Sequence, residues 1–326
     1  MLFMAEQVSG GIYGKKIFFL NATFTLNTNI ILRLIVQEYE VYKIDDFRQV
    51  KSLLKLNPDA IVFVNIDSGN PVKTWFNFIQ YFENDKQFEN ASWGVFSANM
   101  KKPDRELFTK FLKLKAGFFP DNKDFSTIMK ELTEKLGELH AKGRRQFVRL
   151  NCKDNPDLIT FYVSGNIMYK MKLLDISSIG CGIKIPLKDA PLLNSIKSFS
   201  GLNFMLRDKQ VKLNARIHAT KQEADGFLVV LIFTSDTLAS TRNTIRAFIC
   251  DESHRALMNK ILFMSWDKTD YSNLVNPEDV KEEELSESQK KEAEEKAAAD
   301  GNSPSTEIFG ECTDSDQADP AAEENL

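Results

Sequence analysis

Between Lys15 and about Leu139 the chain alternates short apolar runs with segments whose apolar residues recur at helical spacing. Lys16–Leu20 (KIFFL) has strand length, and Asn27–Tyr39 carries the i, i+3, i+4 pattern that predicts a helix. Val41–Ile44 predicts a second strand. Phe47–Leu56 predicts a helix stopped at Asn57-Pro58, because the residue before proline avoids the helical region. Ala60–Ile66 (AIVFVNI) is apolar at nearly every position, which suits a strand covered on both faces. A helix over Thr74–Phe82, a strand over Trp93–Ser97, a helix over Arg105–Leu114 and a strand over Ala116–Phe119 follow. Phe125–Ala141 then predicts a helix closed by Gly143. This alternation predicts a doubly wound α/β layer with a parallel sheet.

After Gly143 the period changes. Phe147–Cys152, Leu158–Val163, Asn166–Leu174, Gly182–Ile185, Leu202–Leu206, Val211–Ala219 and Phe227–Phe233 all read as strands. Turn signals such as Asn155-Pro156, Ser164-Gly165-Asn166 and Asp225-Gly226 separate them, with no helix expected between. Short strands in this number predict a small antiparallel β-barrel. Thr237–Met264 predicts one long amphipathic helix with a stripe of Leu238, Ile245, Phe248, Ile249, Leu257, Ile261 and Leu262.

Composition divides the chain in the same way. The 326 residues carry a formal net charge of −4, but Glu278–Leu326 holds 17 acidic against 4 basic residues. Residues 1–277 therefore hold 29 acidic and 38 basic residues, a basic body suited to an anionic ligand. The expected organisation is an N-terminal extension at 1–14, an α/β domain at 15–142, a barrel with its helix at 143–265 and a disordered acidic tail at 266–326. The N-terminus lacks the basic and apolar regions of a signal peptide, and no apolar run reaches the roughly 18 residues of a membrane helix. Cys152, Cys181, Cys250 and Cys312 are scattered without metal-like pairing and read as free thiols. The expectation is a soluble cytoplasmic protein, with no membrane insertion.

The chemistry concentrates at the junction of the two parts. Gly143-Arg144-Arg145-Gln146-Phe147-Val148-Arg149 puts three guanidiniums within six residues, running from a helix end into a strand. A guanidinium offers a planar fork of donors that fits phosphate oxygens or the O6/N7 edge of guanine. Twenty-six positions after Arg149 comes Asp175-Ile176-Ser177-Ser178-Ile179-Gly180-Cys181-Gly182. There a carboxylate can accept from guanine N–H groups, a hydroxyl can bond a phosphate or base edge, and glycines admit close approach. Taken singly, the first is a solvated basic turn and the second a common strand-to-strand turn.

Together, Arg145-x-x-x-Arg149 and Asp175-x-Ser177-x-x-Gly180 resemble the signature of PilZ domains, bacterial receptors for cyclic di-GMP. The resemblance covers about Gly143 to Met264, and the segment RRQFVRL is similar to the opening of flagellar-brake type PilZ proteins. It implies that Arg145 and Arg149 engage guanines and phosphates, that Asp175 and Ser177 contact a guanine, and that Gly180 keeps the loop open, with Gly182 beside it. It also implies that Arg144 bears on whether one or two ligand molecules are held, and that the arginine segment folds over the ligand and reorients one domain on the other.

The α/β part resembles a response-regulator receiver, with Pro58–Asn65 leading into its third strand. Receivers need an acidic pair after strand one, an acceptor aspartate ending strand three and a lysine after strand five. Here the corresponding positions read Asn21-Ala22, Val64 or Asn65, and Phe118-Phe119-Pro120; only Ser97 matches the usual hydroxyl. A degenerate, receiver-like module that has lost phosphotransfer and kept protein contact is expected, with any phosphorylation role of Asp67, two residues along, left open.

His140, His218 and His254 lack metal-ligand spacing, and Trp75, Phe76, Phe78, Phe108 and Phe111 read as core at helical spacing. No catalytic constellation appears, so a non-enzyme without cofactor or metal is expected. The leading expectation is a signalling receptor and adaptor that binds cyclic di-GMP and regulates a protein partner through the receiver-like module or the long helix. The output (motility, adhesion, virulence or secretion) stays open. The alternative is an interaction scaffold with a vestigial nucleotide site. Nucleic acid is not expected as a partner, for lack of any helix-turn-helix or RNP-like motif.

Overall fold

The computed structural model describes residues 13–120, 124–155 and 158–273; Cys312 and the segment 274–326 lie outside them. The first sheet is parallel, with strands β1 (Ile17–Leu20), β2 (Val41–Ile44), β3 (Ile61–Asn65), β4 (Ser92–Ser97) and β5 (Gly117–Pro120) in the order β2-β1-β3-β4-β5. Ile17 stands between Val41 and Ile61 in register, so the most apolar strands occupy the centre. Every residue of β1 and β3 is buried, as helices on both faces require.

Helix α1 comprises Phe24–Leu26, a π-helical turn Asn27–Ile31 and Leu32–Val36, and Thr23 caps its start by accepting from the Leu26 N–H. Helices α2 (Val50–Leu56), α3 (Val72–Asn84), α4 (Lys102–Phe111) and α5 (Phe125–Glu138) complete the layers. Trp75, Phe76, Phe78 and Phe108 are core residues as expected, whereas Phe111 is exposed. Helix α5 ends at Glu138, earlier than expected: His140, not Gly143, takes the left-handed conformation (φ 51°) that ends it.

Seven strands make the second, antiparallel sheet: β6 (Arg149–Asn151), β7 (Ile159–Ser164), β8 (Ile167–Ser177), β9 (Gly180–Pro186), β10 (Ser198–Leu206), β11 (Lys209–Glu223) and β12 (Gly226–Phe233). The order β6-β8-β7-β10-β11-β12-β9, with β9 returning to β8, closes a six-stranded barrel. Strand β8 gives Ile167–Lys172 to β7 and Asp175–Ser177 to β6. Between β9 and β10 a short helix, α6 (Ala190–Ser195), corrects the expectation of uninterrupted strands; Pro191 opens it and six residues are too few to show a helical period.

Helix α7 (Ala239–Ile261) belongs to both cores. Ile245, Phe248 and Ile249 pack into the barrel, while Leu257 and Ile261 pack into the α/β layer. Its expected apolar stripe holds except at the ends, where Leu238 (69%) and Leu262 (63%) lie exposed outside the helix. The chain beyond it does not leave the body at 266 as expected. Asp267 and Tyr271 are buried, and the Asn77 Nδ2 donates to the Tyr271 carbonyl at 2.9 Å. Three side chains of α3, Asn77, Phe78 and Tyr81, hold this segment against the α/β layer.

Candidate functional site

Cross-strand register brings the two halves of the arginine–aspartate motif together. In the β6–β8 ladder Arg149 faces Ser177 and Asn151 faces Asp175; in the β8–β9 ladder Asp175 faces Gly182 and Ser177 faces Gly180. The Arg149 Nη1 lies 3.3 Å from the Asp175 Oδ1, with both side chains partly exposed. Asp175 and Ser177 therefore lie on a strand, not on the turn expected, and only Ser178 and Ile179 make the turn. Strand β8 extends this far because β6 and β9 satisfy its backbone on both sides.

The two glycines have distinct jobs. A Cβ at Gly180 would sit 2.3 Å from the Leu231 carbonyl oxygen, so Gly180 lets β9 pass close to β12 rather than keeping a loop open. A Cβ at Gly182 would meet the Asp175 Oδ2 at 3.0 Å, so its absence makes room for that carboxylate to lie across β9. Ser177 is buried and donates through Oγ to the Gly180 carbonyl at 3.0 Å, which ties the turn shut.

Arg144 and Arg145 are exposed on the approach to β6, and the Arg145 guanidinium stacks 4.7 Å from the Tyr13 ring centroid. Both motif arginines thus have intramolecular partners, but weak ones. A partly exposed ion pair is worth about 0.2–1 kcal/mol and an exposed cation–π contact about 0.5–1 kcal/mol. Hydrogen bonds to a charged group contribute about 1.5–3 kcal/mol each. A ligand carrying two phosphates can displace both partners.

The turn is buttressed from outside the barrel by residues that sequence reasoning missed. The Ser178 Oγ donates to the Glu38 Oε1 at 2.6 Å, the Arg246 Nε donates to the same oxygen at 2.7 Å, and the Val148 N–H donates to Oε2 at 3.2 Å. From α7, Arg242 donates to the carbonyls of Ser178 (3.3 Å) and Thr234 (3.1 Å). Glu38 follows α1 at φ 64°, the left-handed position that glycine usually fills. Its one signal in the sequence is the lack of a glycine after that helix.

A second polar pocket lies beyond the C-terminal ends of β3 and β4. The Ser97 Oγ and Ala98 N–H donate to the two oxygens of Asp67 at 2.6 and 2.5 Å. The Asn65 Nδ2 donates to the Asn21 carbonyl at 2.9 Å. Amides and carbonyls occupy the positions where receivers carry carboxylates, and no group of three His, Cys, Asp or Glu side chains able to hold a metal occurs among the described residues. Cys152, Cys181 and Cys250 are free, and burial raises their thiols, Cys152 to about 12 and Cys250 to about 11. Burial also lowers the His254 imidazole. No helix among the described residues is long and apolar enough to cross a membrane.

No family model matches the chain, and no curated protein does. Among solved structures it is similar to the PilZ domain of YcgR from Escherichia coli with c-di-GMP, at 12% identity and a TM-score of 0.31, over 37% of this chain and 99% of that one. It is similar to a K. pneumonia MrkH–c-di-GMP complex at 17% identity and a TM-score of 0.31, over 36% of this chain and 57% of that one. It is likewise similar to the Vibrio cholerae chemotaxis protein CheY4 at 15% identity and a TM-score of 0.32, over 38% of this chain and 99% of that one. With identities this low, what binds here is decided by the side chains described above. By its own topology the chain joins a parallel α/β layer to a six-stranded barrel and a closing helix.

Proposed function

We propose that this protein is a receptor for cyclic di-GMP that acts as an adaptor, with no chemistry of its own. The observation that carries the reading is the register that sets Arg149 beside Asp175 and Ser177, with Gly182 cleared for the carboxylate. Asp175 and Arg149 supply acceptor and donors for a guanine, and Arg144, Arg145 and Arg149 supply charge-assisted bonds to two phosphates. In this reading the receptor comprises a receiver-like domain at 15–142 and a ligand-binding domain at 143–265. Ligand capture orders the junction between them, and the α/β domain presents the result to a protein partner.

Isothermal titration of the full chain with cyclic di-GMP tests this. Heat of binding is expected from the wild type and its loss from Arg149→Ala and Arg145→Ala. A folded wild type that takes up no ligand overturns it. Unchanged partner binding by Arg149→Ala would favour a scaffold with a vestigial site. That alternative draws support from the exposed Phe263 (91%) and Trp266 (45%) beyond α7, which offer apolar surface unrelated to the nucleotide site.

A further inference from the structure

From the α/β layer, the Glu38 side chain hydrogen-bonds to both halves of the nucleotide motif. Its carboxylate is 8% exposed and accepts from the Val148 N–H, within Arg145–Arg149, and from the Ser178 Oγ, within Asp175–Gly180. The third donor, Arg246, comes from α7, whose residues pack into both cores. A helix that ends in a left-handed residue normally ends in glycine, because any side chain there costs backbone strain. A glutamate is retained at that position, and the contacts it makes explain why: a glycine would leave Ser178 and Arg246, both buried or nearly so, without their acceptor.

We propose that Glu38 is a positioning residue for the nucleotide site: it holds the arginine segment and the Ser178 turn at fixed spacing and makes ligand affinity depend on the seating of the α/β layer. This rests on the cyclic di-GMP reading. Arg149 and Asp175 are already neighbours through the β6–β8 ladder. What the ladder leaves undetermined is the chain before Arg149, where Arg144 and Arg145 are exposed and Val148 is the last backbone group pinned. Pinning it reduces the ordering that the ligand must impose. Because such coupling is reciprocal, bound ligand tightens the Glu38 contacts by the same factor by which those contacts raise affinity.

The test uses the full chain with cyclic di-GMP. Glu38→Gln keeps the size but removes the charge facing Arg246, and Ser178→Ala removes one donor while leaving Glu38 in place. Each is expected to weaken binding about tenfold, within the usual range of coupling between sites, and the double variant to be no weaker than the worse single one. Hydrogen exchange supplies a readout that loss of stability alone would not move. Ligand should slow amide exchange across residues 32–40 in the wild type, and not in Glu38→Gln. A wild type that binds while both variants bind within twofold, or more tightly, overturns the role of Glu38 and leaves the nucleotide reading standing. A wild type that gives no heat overturns both.

Discussion

Asp175 and Asp67 both stand near the end of a strand, one in each half of the molecule, and each is engaged by neighbouring donors. Their partners differ in kind. Asp175 is paired with a half-exposed guanidinium at 3.3 Å, and its other oxygen lies over Gly182. Asp67 has one oxygen filled by the Ser97 hydroxyl and the other by the Ala98 N–H. A guanidinium can turn to a phosphate and leave the carboxylate to a base edge, whereas the Ala98 amide is fixed by the backbone and cannot turn away from Asp67. The lesson is that a carboxylate's readiness for binding lies in how replaceable its donors are. By that measure Asp175 has the more replaceable donor, although Asp67 is the more exposed of the two.

The comparison can be broken most directly at Arg149. If Arg149 binds the ligand as proposed, its replacement with alanine removes two or more charge-assisted bonds, each about 1.5–3 kcal/mol, and cyclic di-GMP affinity should fall by about a hundredfold or more in a calorimetric titration. Gly180→Ala is the next largest effect. A Cβ 2.3 Å from the Leu231 oxygen forces β9 off β12, and overpacking of this kind costs about 1–3 kcal/mol, visible as a lower unfolding temperature. Gly182→Ala should act on affinity instead, since the atom it meets belongs to the Asp175 side chain, which can swing away.

Glu252 supplies a third carboxylate, itself buried and held by two half-exposed guanidiniums, Arg207 and Arg255. Hydrogen bonding by Arg207, opposed by desolvation and joined by Arg255, holds its carboxyl below the usual carboxylate range. A carboxyl depressed in the folded state adds stability that is complete above its unfolded value of about 4.3 and is lost as pH falls through the folded value. Glu252→Gln should therefore unfold at a lower temperature than the wild type near neutral pH, and the gap should close as the pH falls below that unfolded value. A gap that stays constant with pH would mean the pair acts by packing alone. The smallest effect is expected at Asp67. Asp67→Asn should leave nucleotide affinity within twofold, and acetyl phosphate should add no phosphoryl mass to the wild-type residue. Labelling at Asp67 would erase the contrast with Asp175.

Most of the fold was legible because its signals are local. KIFFL and AIVFVNI are buried on both faces and can only be central parallel strands, and Asn57-Pro58 ends its helix by sterics alone. The barrel strands were legible from period and turn residues, though their ends fell short. Leu202–Leu206 extends back to Ser198, and Val211–Ala219 extends to Lys209–Glu223, because pairing partners lengthen a strand beyond what its own pattern supports. The site was half legible. Arg149, Asp175, Ser177 and Gly182 were identified by residue type and spacing, and the register places them together. Glu38, Arg242 and Arg246 were not, since each lies far along the chain from the motif it serves and carries no pattern of its own.

By itself, the amino-acid sequence determined which elements form and which residues have the chemistry for an anionic ligand, since propensity, period and functional groups are properties of short segments. Only the tertiary structure decided which of those groups face one another and which are already spoken for. It gave Asp67 the hydroxyl of Ser97, set Asp175 beside Arg149, and brought Glu38 against Ser178 across 140 residues. The physical reason is that hydrogen-bond partnership and burial depend on contacts closed by packing, and packing joins segments that no window along the chain contains.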